Sequence, residues 1–166
     1  MNVLAGPFYP TNALVAAAWI GQRVPGITAA QVATRLPRDV RTWAAEGFVQ
    51  VSPVTGVPDV DIPVRHPLVQ IDCWAVTADA AGNVSAKQPI HKANRLAELI
   101  RTATELDSAR YSSPVTMPAN YAGAIVLSAY PLTEPSEVPD DPSGYARITF
   151  DFALDWVRAD PPKIDD

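Results

Sequence analysis

Residues 145–157 read YARITFDFALDWV, and this stretch decides the fold. Ile148, Phe150, Phe152, Leu154 and Trp156 fall on one face of an extended strand. Arg147, Thr149, Asp151 and Asp155 fall on the other, with Ala153 between them. A period of two marks a half-buried strand, and a slip of one residue would drive the charges into the core. The pairing of this strand is therefore tightly specified.

The same period returns in LVQIDCWAV, residues 68–76, where Val69, Ile71, Cys73 and Ala75 share a face opposite Gln70, Asp72 and Trp74. Between the two stretches the period changes. Over Pro89–Leu106, Ile90, Ala93, Leu96, Ala97, Ile100 and Ala103 form one helical stripe, with Lys92, Arg95, Glu98, Arg101 and Glu105 largely off it. That pattern predicts a surface helix packed on a sheet, with Pro89 at its first position. Thr11–Ile20 predicts a shorter helix, capped by Thr11 or Asn12 and ended by Gly21. Three further strands are expected at Gln31–Leu36, Phe48–Ser52 and Ala124–Tyr130, each stopped by the proline that follows. Asp79–Asn83 forms a turn with Gly82-Asn83 at its tip.

The order α-β-β-β-α-β-β predicts an α+β fold. Its mostly antiparallel or mixed sheet has about five strands, with two flanking helices. The expected core is Val69, Ile71, Cys73, Ile100, Ile148, Phe150, Phe152, Leu154 and Trp156. A chain of 166 residues suggests one domain, 1–158, followed by an acidic tail, 159–166. With 48% apolar and 19% charged residues, the composition can bury a core. The longest apolar run, Ala13–Ile20, is far short of the ~20 residues of a membrane span, and no signal-peptide pattern is read, so a soluble protein is expected.

Composition also excludes chemistries. One cysteine rules out an internal disulfide or a zinc site built mainly from cysteines. The net charge of −5 is uneven: residues 1–110 hold ten Lys/Arg and nine Asp/Glu, residues 111–166 three and nine. That asymmetry runs against nucleic-acid recognition, which needs a clustered basic surface. No phosphate-binding glycine loop, zinc-binding helix motif or nucleophile elbow occurs. His66 and His91 read as exposed residues, and Cys73 reads as core packing. Asp59, Asp61, Asp140 and Asp141 lack the pattern of a calcium loop and read as solvated charges. No catalytic, cofactor-binding or metal-binding residue is expected, and no enzymatic activity.

The 17 prolines carry more information. They concentrate in three long connections, 53–67, 111–123 and 131–144. Proline restricts the unfolded chain and lowers the cost of holding an extended shape. The three connections are expected to act as arms that reach neighbouring subunits. The third carries Glu134, Glu137, Asp140 and Asp141, and the densest basic set is Arg35, Arg38 and Arg41. These seven are the candidate subunit or partner interface.

A family resemblance joins these segments. It lies in His66-Pro-Leu-Val-Gln-Ile-Asp-Cys-Trp-Ala75, in Val32-Ala-Thr-Arg-Leu-Pro37 and in Gly47-Phe-Val-Gln-Val51. The long helix continues it, as does Pro139-Asp-Asp-Pro142 ahead of a strand with Tyr145, Arg147 and Phe150. In this order the chain resembles the tail-terminator, or tail-completion, proteins of long-tailed bacteriophages, those of actinobacteriophages above all. The resemblance spans residues 11 to 158 and is structural rather than catalytic. It implies a homohexameric ring on the head-proximal end of the tail tube, assembled in the host cytoplasm. Such a ring ends tube polymerisation and joins the tail to the head. The implied partners are further copies of the chain, the major tail-tube protein and a head–tail connector or neck protein. DNA is only cargo passing through the ring, no membrane is involved and no cofactor is needed.

A ring needs two different surfaces on each subunit, and the charge split offers one basic and one acidic. An open sheet edge could also accept a neighbour's strand. The acids of 131–144 either meet a neighbour or, with Asp151 and Asp155, face the channel and repel DNA. Alternative readings are a head–tail connector or head-completion ring and, less favoured, a small hydrolase using His66 or His91.

Overall fold

A computed structural model describes residues 7–56, 58–59 and 61–159. Its helices are α1 (Asn12–Arg23), α2 (Ile90–Ala103) and the single turn α3 (Asp107–Arg110). Its strands are β1 (Val32–Ala33), β2 (Phe48–Thr55), β3 (Val64–Arg65), β4 (Leu68–Ala75), β5 (Ser113–Val115), β6 (Ala124–Pro131), β7 (Ser136–Glu137) and β8 (Ala146–Arg158). Short 3-10 turns occupy Ala29–Gln31 and Val40–Thr42. All eight strands join one sheet, with the main order β1-β2-β4-β8-β6-β5. The pairing of β1 with β2 is parallel and every other strand pair is antiparallel, so the sheet is mixed.

The expected α+β class stands, but the strand count does not. Three additional strands, β3, β5 and β7, lie inside the proline-rich connections, and α3 is additional too. Strands of two or three residues are too short to display a period. They exist because a longer neighbour offers them hydrogen bonds. Each of these connections is fastened to the sheet along part of its length.

β8 is the neighbour that does most of this. Along one side it pairs first with β4 and then with β3, in one unbroken register from Ala75 opposite Ala146 to Val64 opposite Val157. The gap between β3 and β4 falls at His66-Pro67, because Pro67 has no N–H to donate. Its carbonyl still accepts from the Leu154 N–H at 3.3 Å. Along its other side β8 pairs with β6 and then β7, with a bulge between Val126 and Ser128. Every part of the 13-residue strand thus has a neighbour on at least one side.

The nine expected core residues are all buried. Eight of them line the inner face of the sheet and Ile100 meets them from α2, with α1 packed beside it; the largest wholly buried side chains are Trp19, Trp156 and Phe152. The Trp19 and Phe152 rings lie 5.5 Å apart. Each indole N–H in this core has an acceptor: Trp19 donates to the Ala109 carbonyl at 2.8 Å and Trp156 to Asn12 Oδ1 at 2.9 Å. A second apolar cluster sits on the outer face at one end, where Val40, Trp43, Phe48, Trp74 and Val76 pack with Tyr145.

Several local expectations are corrected. α1 runs past Gly21 to Arg23. Gly21 serves close approach instead, since a Cβ there would lie 2.9 Å from the Ala29 Cα. Pro89 occupies the cap position, and α2 begins at Ile90 and stops at Ala103. β2 continues through Pro53 to Thr55, where a missing N–H costs little because that part of β2 has no second neighbour among the described strands. The strand expected over Gln31–Leu36 shrinks to Val32–Ala33 behind a 3-10 turn. The acidic tail lies, except for Ala159, outside the described residues.

Candidate interaction surfaces

Alternation along β4 and β8 places Asp72 and Arg147 on the outer face, beneath the turn that follows β7. Arg147 donates from Nε to Asp72 Oδ1 at 2.9 Å and from Nη1 to Asp141 Oδ2 at 3.1 Å, and its guanidinium stacks 5.0 Å from the Trp74 ring. Gln70 adds a side-chain bond to each Asp72 oxygen. Asp141 is buried and also accepts from the Ser143 N–H and hydroxyl. Burial alone would raise its pKa, but the bonds from Ser143 and Arg147 outweigh this and hold the carboxyl below its usual range. Asp141 is therefore committed inside the fold. Glu134, Glu137 and Asp140 are exposed and make no ion pair among the described residues.

The basic candidates also separate. Arg41 is exposed and paired with Asp39 at 2.8 Å, so its charge is locally answered. Arg38 is exposed. Arg35 lines a cleft of about 530 Å³ with Tyr9, Thr11, Asn12, Pro53 and Arg65, and no described carboxylate lines it. The Arg65 guanidinium lies 4.4 Å from the Tyr9 ring centroid and Arg158 lies 5.6 Å from the same ring. The Arg158 Nε is buried without a hydrogen-bond partner among the described residues. Positions 9, 35, 65 and 158 lie far apart in sequence, so this basic corner is visible only in the fold. Phe8 and Tyr121, both exposed, extend its aromatic surface.

His66 and Cys73 are engaged within the fold. His66 stands opposite Asp155 on β8, with Nδ1 2.7 Å from Asp155 Oδ1 and Nε2 3.9 Å from Asp59 Oδ2. Ser128 donates to the other Asp155 oxygen at 2.7 Å. The serine is bonded to the carboxylate and not to the imidazole, so this trio lacks the order of a nucleophile and its base. His91 is exposed in the first turn of α2. Burial, with the Asp72 charge adding to it, pushes the Cys73 thiol far above its ordinary range and removes it as a nucleophile. Among the described residues no three His, Cys, Asp or Glu side chains gather as a metal site, and no helix is long and apolar enough to cross a membrane.

The two sides of the sheet end differently. On the β5 side, Gln22 of α1 brackets Thr116, donating to its carbonyl at 2.7 Å and accepting from its N–H at 2.8 Å. Arg23 donates to the Pro114 carbonyl through Nε, at 3.0 Å, and Nη2. Pro114 itself has no N–H to leave open. On the other side β1 covers β2 only at Val49 and Gln50, and no described strand pairs with the outer side of Ser52–Thr55. The outer side of β7 is likewise unpaired by any described strand.

These features define a small α+β protein on a curled mixed sheet, with its distinctive chemistry at edges and corners. No protein-family model matches the chain. No curated protein matches it. Among solved structures, a chain of the virion of a native gene transfer agent particle is similar, with a TM-score of 0.48 and 13% identity, covering 89% of this chain and 99% of that one.

Proposed function

We propose that the chain is a structural subunit of a phage-like virion. In this reading its copies form a ring on the tail tube, end tube polymerisation and join the tail to the head. The observation that carries the reading is where the family-like segments fall. Val32–Pro37, Gly47–Val51, His66–Ala75 and the run from Pro139 to Phe150 contain or overlap β1, β2, β4 and β8, four consecutive strands of one sheet. The resemblance thus maps to one contiguous piece of architecture rather than to scattered residues. A fold with one sealed edge, one open edge and separate charged corners also suits head-to-tail assembly, which needs two unlike surfaces. The tube protein and a neck protein are the partners this reading assigns, with DNA as passing cargo.

The test is removal of the gene followed by electron microscopy of the particles. Tails of uncontrolled length without attached heads are expected. Normal tails would overturn the reading. Tails of normal length beside unjoined heads would assign the chain to the connector instead.

A further inference from the structure

We propose that the basic corner around Arg35 and Arg65 receives the acidic segment 132–140 of a second copy of this chain. The proposal rests on the assembly reading above and names the contact that reading needs.

Two surfaces on one chain are complementary: the cleft has no described carboxylate in its lining, and of the segment's exposed acids only Glu134 has a described cation, Arg101, near enough to feel it. The cleft beside Pro53 presents Arg35 and Arg65, with Arg158 stacked on the shared Tyr9 ring, and no described carboxylate lines it. The segment after β6 presents Glu134, Glu137 and Asp140 to solvent, while Asp141 is held by Arg147 and anchors the segment to the sheet. Arg147 therefore separates two jobs: it fixes one acid and leaves the other three outward. Extended main chain is open at both surfaces too, with Pro53 offering a carbonyl but no N–H. Ser52–Thr55 at the cleft and Ser136–Glu137 in the segment are extended and lack an outer neighbour among the described strands. An edge of that kind is a template for another extended chain.

Placement makes the contact intermolecular. The cleft lies on the β2 and β3 side of β8 and β7 on its β6 side. Along β8, Arg65 is opposite Trp156, whereas β7 is opposite Ile148 and Thr149. That separation of seven or eight residues is about 25 Å of strand. A patch and its complement at opposite corners of one chain join copies head to tail, the arrangement that closes into rings. β5 offers no competing edge, because Gln22 and Arg23 occupy its outward groups.

The test is charge exchange between corners, read by sedimentation of the full chain at low and physiological salt. Arg35→Glu/Arg65→Glu and Glu134→Arg/Glu137→Arg, each alone, should weaken self-association at least ~10-fold. Mixing the two variants should restore it, since each then supplies the surface the other needs. The wild-type association should weaken with salt, as contacts between exposed charges do. A second readout is independent of charge: Thr34→Cys/Ser136→Cys should form a ladder of disulfide-linked copies under oxidation, with buried Cys73 silent. A wild-type chain that stays monomeric up to about 1 mM overturns the proposal, that being the weak end of ordinary affinities. So does a mixture that fails to reassociate although each variant is folded by circular dichroism. DNA binding lost in the Arg35→Glu/Arg65→Glu variant, with self-association intact, would reassign the cleft to nucleic acid and overturn it too. The two readings fail separately. Particles that contain the chain as a ring but give no ladder sink this contact alone. A ladder and charge rescue with normal tails after gene removal sink the virion role and leave the contact standing.

Discussion

The edge at β5 and the edge at β2 belong to one sheet, yet they are finished in opposite ways. At β5 a proline removes one donor and two side chains of α1 occupy the neighbouring groups. At β2 the covering strand is two residues long, and the extended backbone from Ser52 to Thr55 has no described partner beyond it. Proteins ordinarily blunt exposed edges to avoid pairing with other chains. Both edges carry a proline, Pro114 and Pro53; the difference among the described residues is that side chains of α1 occupy the groups around Pro114, whereas no described strand pairs beyond Pro53.

The most damaging way to break the comparison is to remove what both edges depend on. Phe152 lies on β8, opposite Val69 on the β2 side and Pro131 on the β6 side. Phe152→Ala should cost ~3–5 kcal/mol in chemical denaturation and release both edges together. A loss confined to one edge by amide exchange would show that the halves of the sheet fold separately.

Next in size is the ion cluster on the outer face. Arg147→Met leaves the nearly buried Asp72 and Asp141 facing each other without their cation, and a loss of ~2–4 kcal/mol is expected. The acid branch of the stability curve has a defined sign. Asp141 has a folded pKa below its ordinary value of 3.8. Its contribution is therefore complete above about pH 4 and is lost as pH falls below that toward the lower folded value. Asp141→Asn should flatten that branch of the curve, and an unchanged slope would place the titration elsewhere.

A smaller change sharpens the contrast directly. Gln22→Ala removes both bonds to Thr116 and should cost ~1–2 kcal/mol. It should also speed amide exchange at Thr116 and make β5 a new site of association. If Gln22→Ala aggregates no more than the wild type, the seal is redundant. The smallest effect belongs to the open side. Pro53→Ala restores an N–H there and should shift stability by no more than ~0.5 kcal/mol. The amide at position 53 of that variant should exchange faster than the wild-type Thr116 amide, because no described strand pairs with that side of β2.

Much of this contrast is invisible in sequence, and the reason is length. β8, β4 and α2 carry enough alternating or stripe-like residues to display their period. β3, β5 and β7 do not, since each borrows its conformation from a longer strand. Pro67 hides the continuity of β3 and β4, reading as a stop although its carbonyl keeps the register. The acidic candidates look alike on the page, but Asp141 differs from Asp140 because Ser143 and Arg147 face it. The nearby serine was a readable turn signal, whereas the arginine contact required the sheet. The basic corner needed still more, because Tyr9, Arg35, Arg65 and Arg158 meet only after four separate segments pack.

The position of β8 in the chain also governs when the molecule can become itself during synthesis. β8 joins the β4 half to the β6 half, and it is the last described strand to leave the ribosome. Until it emerges, β4 and β6 each lack an inner neighbour, so two further edges stand open on the nascent chain. Folding of the sheet therefore waits on nearly the whole described chain, with apolar strands unpaired meanwhile. A ribosome stalled before Ala146 would display a protein whose outer seal at β5 could form while its centre was still missing.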